Sequence, residues 1–166
     1  HTVAYEGHLD VVKLLLKNGA DVNQARTTDG ATPLLMAANN GHLAVVKLFL
    51  ADERTYINKG KTTDGLTPLH IAAENGHEAV VELFLADERT NINQTNQNGA
   101  TPLFMAAQNG NAKVVELLLD DRRSNPNQAK TTDGATPLFM AVQNGHAKVV
   151  QLLLSKGADP NKARTD

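Results

Sequence analysis

The chain of 166 residues has no cysteine and no tryptophan, and aromatic residues supply only 4% of it. Without cysteine, disulfides, zinc–cysteine sites and thiol nucleophiles are excluded. The formal net charge is −2, so the chain lacks the surplus of Lys and Arg on which general nucleic-acid or anionic-membrane binding depends. The few aromatic rings also argue against a platform for base stacking.

Long hydrophobic runs are absent as well. Apolar runs such as 14–16 and 152–154 are far shorter than the roughly 20 residues of a membrane-spanning helix. No charged-then-apolar segment typical of a signal peptide opens the sequence. We therefore expect no membrane insertion and a cytoplasmic, intracellular location, which the lack of cysteine also fits.

What the sequence does contain is a repeat. The pattern Gly-x-Thr-Pro-Leu begins at four glycines, which lie 35, 34 and 35 residues apart: Gly30, Gly65, Gly99 and Gly134. A glycine that is mostly followed by histidine recurs in the same register at Gly7, Gly41, Gly76, Gly110 and Gly145. An asparagine does so at 23, 58, 93, 127 and 161. These markers predict one domain of five units, at about 1–23, 24–58, 59–93, 94–127 and 128–161, with 162–166 starting a further turn.

Each unit reads as two short helices. In the last unit, Thr136 is a suitable N-cap and Pro137 occupies the first helical position. Gly145 ends this helix, and a second apolar stripe from Val149 runs to a closing Gly157. Neither helix reaches the ~12 residues needed for stability alone, so neighbouring units must cover their apolar faces.

The repeat resembles the ankyrin repeat. The nearest stretch is DGLTPLHIAAENGHEAVVELFL at 64–85, and KNGADVN at 17–23 shows the usual loop. The resemblance covers essentially the whole chain. It implies an all-α solenoid of stacked antiparallel helix pairs, in which β-hairpin fingers and the first helices line a concave face. Both end units keep interior-type apolar helices, so we expect the chain to be part of a longer array or multidomain protein.

The units depart from the family in two ways. Three loops between the second helix and the asparagine are one residue longer and lack a glycine, at 51–57, 86–92 and 120–126. We predict that these helices end with an extra turn or a tight 3₁₀ turn instead of a glycine cap. The family's histidine after Thr-Pro-Leu, which ties units together, is kept at His70 and His1. It is replaced by Leu35, Phe104 and Phe139, where apolar burial is expected to offset its loss.

For each candidate catalytic residue, a structural role explains the pattern better than catalysis does. His8, His42, His77 and His146 recur at one turn position, which favours turn stabilisation over metal binding or catalysis. Ser124 and Ser155 have no histidine fixed nearby, so a hydrolase triad has no support. Asn93 opens a glycosylation sequon but is also the repeat's asparagine, which we expect to brace the hairpin. We predict that the chain is not an enzyme and that it binds no metal, cofactor or small-molecule substrate.

By resemblance, contacts with a protein or peptide partner come from the finger tips and the ends of the first helices. The predicted contact residues are Tyr5, Glu6, Thr28, Asp29, Ala31, Asn39, Asn40, Thr63, Asp64, Leu66, Glu74, Asn75, Gln97, Asn98, Ala100, Gln108, Asn109, Thr132, Asp133, Ala135, Gln143 and Asn144. Only Tyr5 and Leu66 have the size of an interface anchor. Basic finger residues such as Arg26 and Lys61 are offset by acidic ones, so a weak phosphate or RNA contact stays a minor alternative.

The leading hypothesis is a monomeric, non-catalytic scaffold for protein–protein interaction. A second is a spacer or elastic array whose function lies in flanking domains, because the predicted contact surface is uniform from unit to unit. A third is an engineered ankyrin binder, against which the irregular spacing of 34 and 35 residues counts.

Overall fold

The computed structural model describes residues 1–162, which contain ten α-helices and no strand. The helices are α1 Thr2–Tyr5, α2 Leu9–Lys17, α3 Pro33–Asn39, α4 Leu43–Leu50, α5 Pro68–Glu74, α6 Glu78–Ala86, α7 Pro102–Gln108, α8 Ala112–Asp120, α9 Pro137–Gln143 and α10 Ala147–Ser155. They form five pairs, and each pair packs on the next, as the all-α solenoid prediction requires. The further turn predicted at 162–166 lies, beyond Lys162, outside the described residues.

The first helix of each complete unit begins as the Thr-Pro pair predicts. The threonine hydroxyl accepts a hydrogen bond from the backbone amide three residues on, for example Phe139 N–H to Thr136 Oγ1 at 3.1 Å. The same cap occurs at Thr32, Thr67 and Thr101. Proline then occupies a position whose missing N–H has no intrahelical role.

A sharp turn at a glycine joins the two helices of every pair. Gly41, for example, has φ 69°, and Gly145 has φ 74°, a region that is costly for residues with a Cβ atom. A continuous core runs between the pairs along the array. Where the first helices of successive pairs pack on one another, α3, α5 and α7 each carry an alanine with no solvent exposure: Ala38, Ala73 and Ala107. These small side chains let the helices approach closely.

The second helices end in two ways, which confirms the prediction for the longer loops. Short loops close on Gly19 and Gly157, both at φ 86°. Long loops close with a hydrogen-bonded turn such as Asp52–Thr55, where Thr55 N–H donates to Asp52 O at 3.0 Å. The Asp52 carboxylate also accepts a hydrogen bond from Arg54 N–H two residues on, and Asp52 N–H donates to Phe49 O near the end of the helix at 3.1 Å.

Candidate protein-binding face

The fingers are tight hydrogen-bonded turns. In the second unit, Arg26 N–H donates to Ala31 O at 2.8 Å and Gly30 N–H donates to Arg26 O at 2.8 Å. The fourth unit closes one residue shorter, with Asn96 N–H donating to Ala100 O at 2.9 Å. The expected β-hairpins are therefore reduced to turns within residues 1–162, because each finger arm is too short for a regular ladder.

Three basic finger residues are paired within their own fingers. Arg26 contacts Asp29, Lys61 Nζ lies 2.9 Å from Asp64, and Lys130 Nζ lies 3.2 Å from Asp133. The arginine beside Asp29 lowers the pKa of that carboxyl to about 2. These pairs neutralise the fingers and leave them little attraction for a phosphate backbone.

Three of the four turn histidines connect neighbouring units, in keeping with a structural role. His42 Nε2 lies 2.7 Å from Tyr5 O, His77 Nε2 lies 2.9 Å from Asn39 O, and His146 Nε2 lies 3.0 Å from Gln108 O. Because a carbonyl oxygen only accepts, each ring nitrogen must be the donor. In the remaining junction, the Asn111 amide donates to Glu74 O at 2.8 Å. Residues 1–162 hold no group of three or more His, Asp or Glu that could bind a metal ion.

The repeat's asparagine bridges two units, whereas the sequence had suggested that it braces its own hairpin. Asn58 Nδ2 donates to Arg89 O at 2.7 Å, and Asn58 Oδ1 accepts from Asn91 N–H at 2.9 Å. Asn23, Asn93 and Asn127 make the equivalent pair of bonds. The Asn93 amide is therefore committed to the fold, which supports the structural interpretation of the sequon.

An Asp-x-Arg clamp in two of the three long loops adds a second connection that the sequence did not reveal. Arg123 forms an ion pair with Asp121 at 2.6 Å and donates through Nη2 to Leu85 O, at the end of α6, at 2.8 Å. Arg89 bonds Leu50 O in the same way at 2.6 Å. The arginine thereby satisfies a helix-terminal carbonyl of the preceding unit, where a cation is also favoured by the helix dipole.

His70 is the buried polar residue that joins the third and fourth units. Its Nε2 donates to Ala100 O at 2.9 Å, and its Nδ1 accepts from Thr67 N–H at 3.2 Å. Burial lowers the pKa of His70 to about 4. At the equivalent positions Leu35 and Phe104 are buried, so apolar packing takes the place of the hydrogen bonds there, whereas Phe139 is only half-buried.

The predicted contact residues fall into three groups. Three alanines are buried and offer no side chain to a partner, because they pack under the fingers: Ala31, Ala100 and Ala135. Half-buried are Asp29, Asn39, Asn40, Asp64, Leu66, Glu74, Gln108 and Asp133. Exposed are Tyr5, Glu6, Thr28, Thr63, Asn75, Gln97, Asn98, Asn109, Thr132, Gln143 and Asn144.

Several of the polar contact residues are already engaged in inter-unit bonds. Asn40, Asn75 and Asn144 donate to first-helix carbonyls of the preceding unit at 2.8, 2.9 and 2.8 Å. Gln97 Nε2 donates to Thr62 O at 3.1 Å. These predicted contact amides are thus already used in bonds between units, and fewer positions remain to recognise a partner.

The structure adds an apolar row that sequence reasoning missed. Ile71 and its register equivalents pack with finger residues, separately from the main core; they are Met36, Met105 and Met140. Met105 and Met140 are half-buried, and Phe139 packs beside them. Their spacing of 35, 34 and 35 residues was visible in the sequence, but it resembled ordinary helix-core spacing.

Glu74, at the end of α5, is distinctive among the polar groups of this face. Its carboxyl is half-buried, and within residues 1–162 it makes no hydrogen bond or ion pair. Burial raises the pKa of Glu74, and the nearby Lys61 and Asp64 charges act on it in opposite directions. A partly desolvated carboxylate without a partner favours an incoming hydrogen-bond donor.

Two plant proteins are similar to part of the chain. A probable E3 ubiquitin-protein ligase, XBOS33, of Oryza sativa subsp. japonica is 50% identical over 50 residues, which are 30% of this chain and 9% of the rice protein. The E3 ubiquitin-protein ligase XBAT33 of Arabidopsis thaliana is 48% identical over 50 residues, 30% of this chain and 10% of that protein. The chain thus matches only about a tenth of the length of these relatives.

A family model also matches most of the chain. It describes ankyrin repeats in three copies, and it matches residues 1–96 and 81–164. Together with the stacked helix pairs and turn fingers, this match shows that the chain belongs to the ankyrin-repeat family.

Proposed function

We propose that the chain is a non-catalytic scaffold that holds a segment of another protein against the finger side of its first helices. The ankyrin repeat is a protein-interaction fold, and the location of the site within it is our inference. The observation that carries it is the presence of two distinctive side chains in the third unit, Leu66 and Glu74. One is an apolar side chain at a finger and the other is the unpaired carboxylate at the end of α5.

Leu66 supplies the apolar half of this site. It packs against Ala31, Leu35, Met36 and Ile71, so that a rigid cluster supports its half-exposed side chain. An anchor held in this way loses little conformational freedom when a partner covers it. A partner segment with an apolar side chain can therefore gain burial here at low entropic cost.

Glu74 supplies the polar half. Its half-buried carboxylate is best satisfied by a lysine, arginine or amide donor of the partner. A hydrogen bond to a charged group contributes about 1.5–3 kcal/mol, which is about a tenfold to hundredfold change in affinity. We therefore propose a partner segment in which an apolar residue lies close to a basic one.

A selection from a displayed peptide library on the immobilised chain tests this proposal. Peptides that combine an apolar and a basic residue are expected to be enriched. Their dissociation constants are expected to rise about tenfold or more for Leu66→Lys, which buries a charge against the apolar cluster, and for Glu74→Gln, which removes the carboxylate charge. The matched control is Glu82→Gln, because Glu82 is an exposed glutamate on the outer helix α6 of the same unit.

Affinities that are unchanged in both variants would show that the site is misplaced. If no peptide or protein is enriched on the chain, the spacer or elastic-array hypothesis gains support instead. The selection needs no knowledge of the natural partner, so it separates these two outcomes directly.

The plant relatives suggest a context in which such a scaffold works. Their names describe E3 ubiquitin-protein ligases, and the similarity lies within the ankyrin part of this chain. We propose that an array of this kind contributes recognition of a protein substrate in a ligase. Cysteine-based ligase chemistry cannot reside in these 166 residues, since they contain no cysteine. We also propose an intracellular location for the chain, on the grounds of its composition alone.

A further inference from the structure

The loop 51–57 and the start of the finger after it carry three exposed side chains. We call them the loop patch and define it as Arg54, Tyr56 and Lys59. The Arg54 side chain is 69% exposed, whereas that of its equivalent Arg123 is 37% exposed. Tyr56 is 60% exposed. Two of these three residues occupy positions that later units use for bonds between units.

Arg54 is left out of the inter-unit clamp because the first unit has a short loop. In the fourth unit, Arg123 Nη2 reaches the helix-terminal carbonyl of Leu85. The equivalent carbonyl, that of Leu16, already accepts a hydrogen bond from Gly19 N–H at 3.1 Å. Within residues 1–162, the Arg54 side chain therefore bonds no other unit and keeps unpaired N–H groups on Nη1 and Nη2.

Lys59 likewise stands where another unit has a connecting residue. At the equivalent position, Gln94 Nε2 donates to Asn58 O, in an earlier unit, at 3.1 Å. Lys59 makes no such bond in the described part of the chain, and its Nζ lies 5.9 Å from the centroid of the Tyr56 ring. A cation–π contact of this kind orients one face of the ring and leaves the other face to solvent.

The backbone that presents Tyr56 is fixed. Asn23 Nδ2 donates to Arg54 O at 2.7 Å, and Asn23 Oδ1 accepts from Tyr56 N–H at 2.8 Å. Thr55 and Ile57, on either side of Tyr56, are buried. Because one asparagine side chain holds both Arg54 and Tyr56, the two residues are neighbours, and the loop needs no ordering when a ligand binds. Tyrosine and arginine are also residue types that dominate the binding energy of interfaces.

Charge decides what kind of ligand the loop patch accepts. Asp52 forms an ion pair with Arg54 at 2.6 Å, and Asp52, with a smaller contribution from Asp21, raises the pKa of Arg54. Glu53 is exposed on the same loop. These carboxylates repel an anionic ligand, while Arg54 and Lys59 repel a cationic one. The free donors of the patch are therefore best matched by an uncharged acceptor such as a backbone carbonyl.

We propose that the loop patch binds an uncharged, proline-rich segment of a protein in the polyproline II conformation. The carbonyls of this conformation have no internal hydrogen bonds, so they accept from the free N–H groups of Arg54 and from the Tyr56 hydroxyl. A patch of three side chains suits such a segment, because the preformed polyproline II helix docks on aromatic rings and loses little entropy. This surface is separate from the site at Leu66 and Glu74, and the inference does not depend on that site.

Tyrosine emission tests the proposal. The chain has two tyrosines and no tryptophan, so in the Tyr5→Phe chain all of this emission comes from Tyr56. The probe is decaproline, which has no fluorophore, and it is expected to change the emission in a saturable way. Adding Arg54→Gln is expected to raise the dissociation constant about fivefold through the loss of a hydrogen bond. Arg122→Gln, at an exposed arginine of the loop 120–126, is the matched control and is expected to leave it unchanged.

Two further titrations confine the binding to the loop patch. In the Tyr56→Phe chain the emission comes from Tyr5, and decaproline is expected to cause no saturable change. Leu66→Lys, placed in the Tyr5→Phe chain, is expected to leave the decaproline affinity unchanged. Failure of the patch is thereby distinguished from failure of the site at Leu66 and Glu74.

Four results would overturn the proposal. One is an emission of Tyr56 that does not change in a saturable way at millimolar decaproline, and another is an affinity that Arg54→Gln leaves unchanged. An equal change of Tyr5 emission in the Tyr56→Phe chain would reduce the effect to unspecific contact between proline and tyrosine. A decaglutamate peptide that binds more tightly than decaproline would assign the loop patch to an acidic ligand instead.

Discussion

Replacement of His70 by leucine is expected to remove most of the acid sensitivity of the array between pH 7 and pH 5. In the folded chain, burial lowers the pKa of His70 from 6.5 to about 4. Protonation would also place a hydrogen on Nδ1, which now accepts from Thr67 N–H. The folded state therefore keeps the ring neutral in a pH range where the unfolded chain protonates it.

The direction of the effect follows from proton binding. A group with a depressed pKa in the folded state binds fewer protons there than in the unfolded chain between pH 6.5 and about 4, so the free energy of unfolding falls as the pH falls through this window. Below about pH 4 both states are protonated and the loss levels off. One pKa unit corresponds to about 1.4 kcal/mol, so the complete loss is about 3 kcal/mol and the part reached at pH 5 is about 2 kcal/mol.

The assay is urea unfolding followed by far-ultraviolet circular dichroism at pH 7 and pH 5. The His70→Leu chain is expected to be less stable at pH 7, because Thr67 N–H loses its acceptor, but to fold, because leucine is accommodated at the equivalent position as Leu35. The wild-type chain is expected to lose about 2 kcal/mol more than the variant between the two pH values. Asp29 and Asp52, whose pKa values are lowered to about 2, lose their contribution only below this window. An equal loss in both chains would refute the role assigned to His70.

Three further substitutions test the connections between units by the same unfolding assay. Gly110→Ala is expected to lower the free energy of unfolding by more than Gly157→Ala does. At Gly157 the loss is only the ~1–2 kcal/mol of a left-handed backbone, whereas the methyl added at Gly110 also meets the following unit's ring at 2.7 Å. Asn58→Ala is expected to cost about 1–3 kcal/mol through two lost inter-unit bonds, and Asn98→Ala at an exposed finger tip less than 0.5 kcal/mol. Arg123→Gln is expected to cost about 1 kcal/mol, a loss that is smaller at high salt.

Each of these comparisons has a result that would contradict it. Equal costs at the two glycines would show that neighbouring units give way easily at the turn. A cost at the finger tip as large as that at the bridging asparagine would mean that the fingers, too, stabilise the array. An unchanged stability of the arginine variant would reduce its clamp to a surface contact.

The spacing of the sequence markers was sufficient to predict the helix pairs and their order. Thr136-Pro137 favours a helix start, because capping and the fixed φ of proline act within one turn. Gly145 likewise marks a turn, since only glycine adopts its backbone conformation without strain. The extra residue of the long loops even indicated that those helices end without a glycine.

The candidate site was predictable only in part. Leu66 and Glu74 were named by their register, but their special status depends on burial and on the lack of a partner for the carboxylate. Ala31 was assigned to the contact surface by the same register, yet it lies under its finger. A repeat pattern gives every unit the same assignment, so it cannot distinguish a unit in which a half-buried side chain such as that of Glu74 is left without a partner.

By itself, then, the sequence determined the local events of this protein: where each helix starts, where it turns and how often the pair recurs. Only the tertiary structure decided which hydrogen-bonding groups are used in contacts between stacked pairs. The ring of His42 reaches Tyr5 and the guanidinium of Arg123 reaches Leu85, each across 37 to 38 residues. Bonds between residues so far apart in the sequence depend on the offset and rotation between successive helix pairs. These follow from packing and cannot be inferred from the sequence of a single unit.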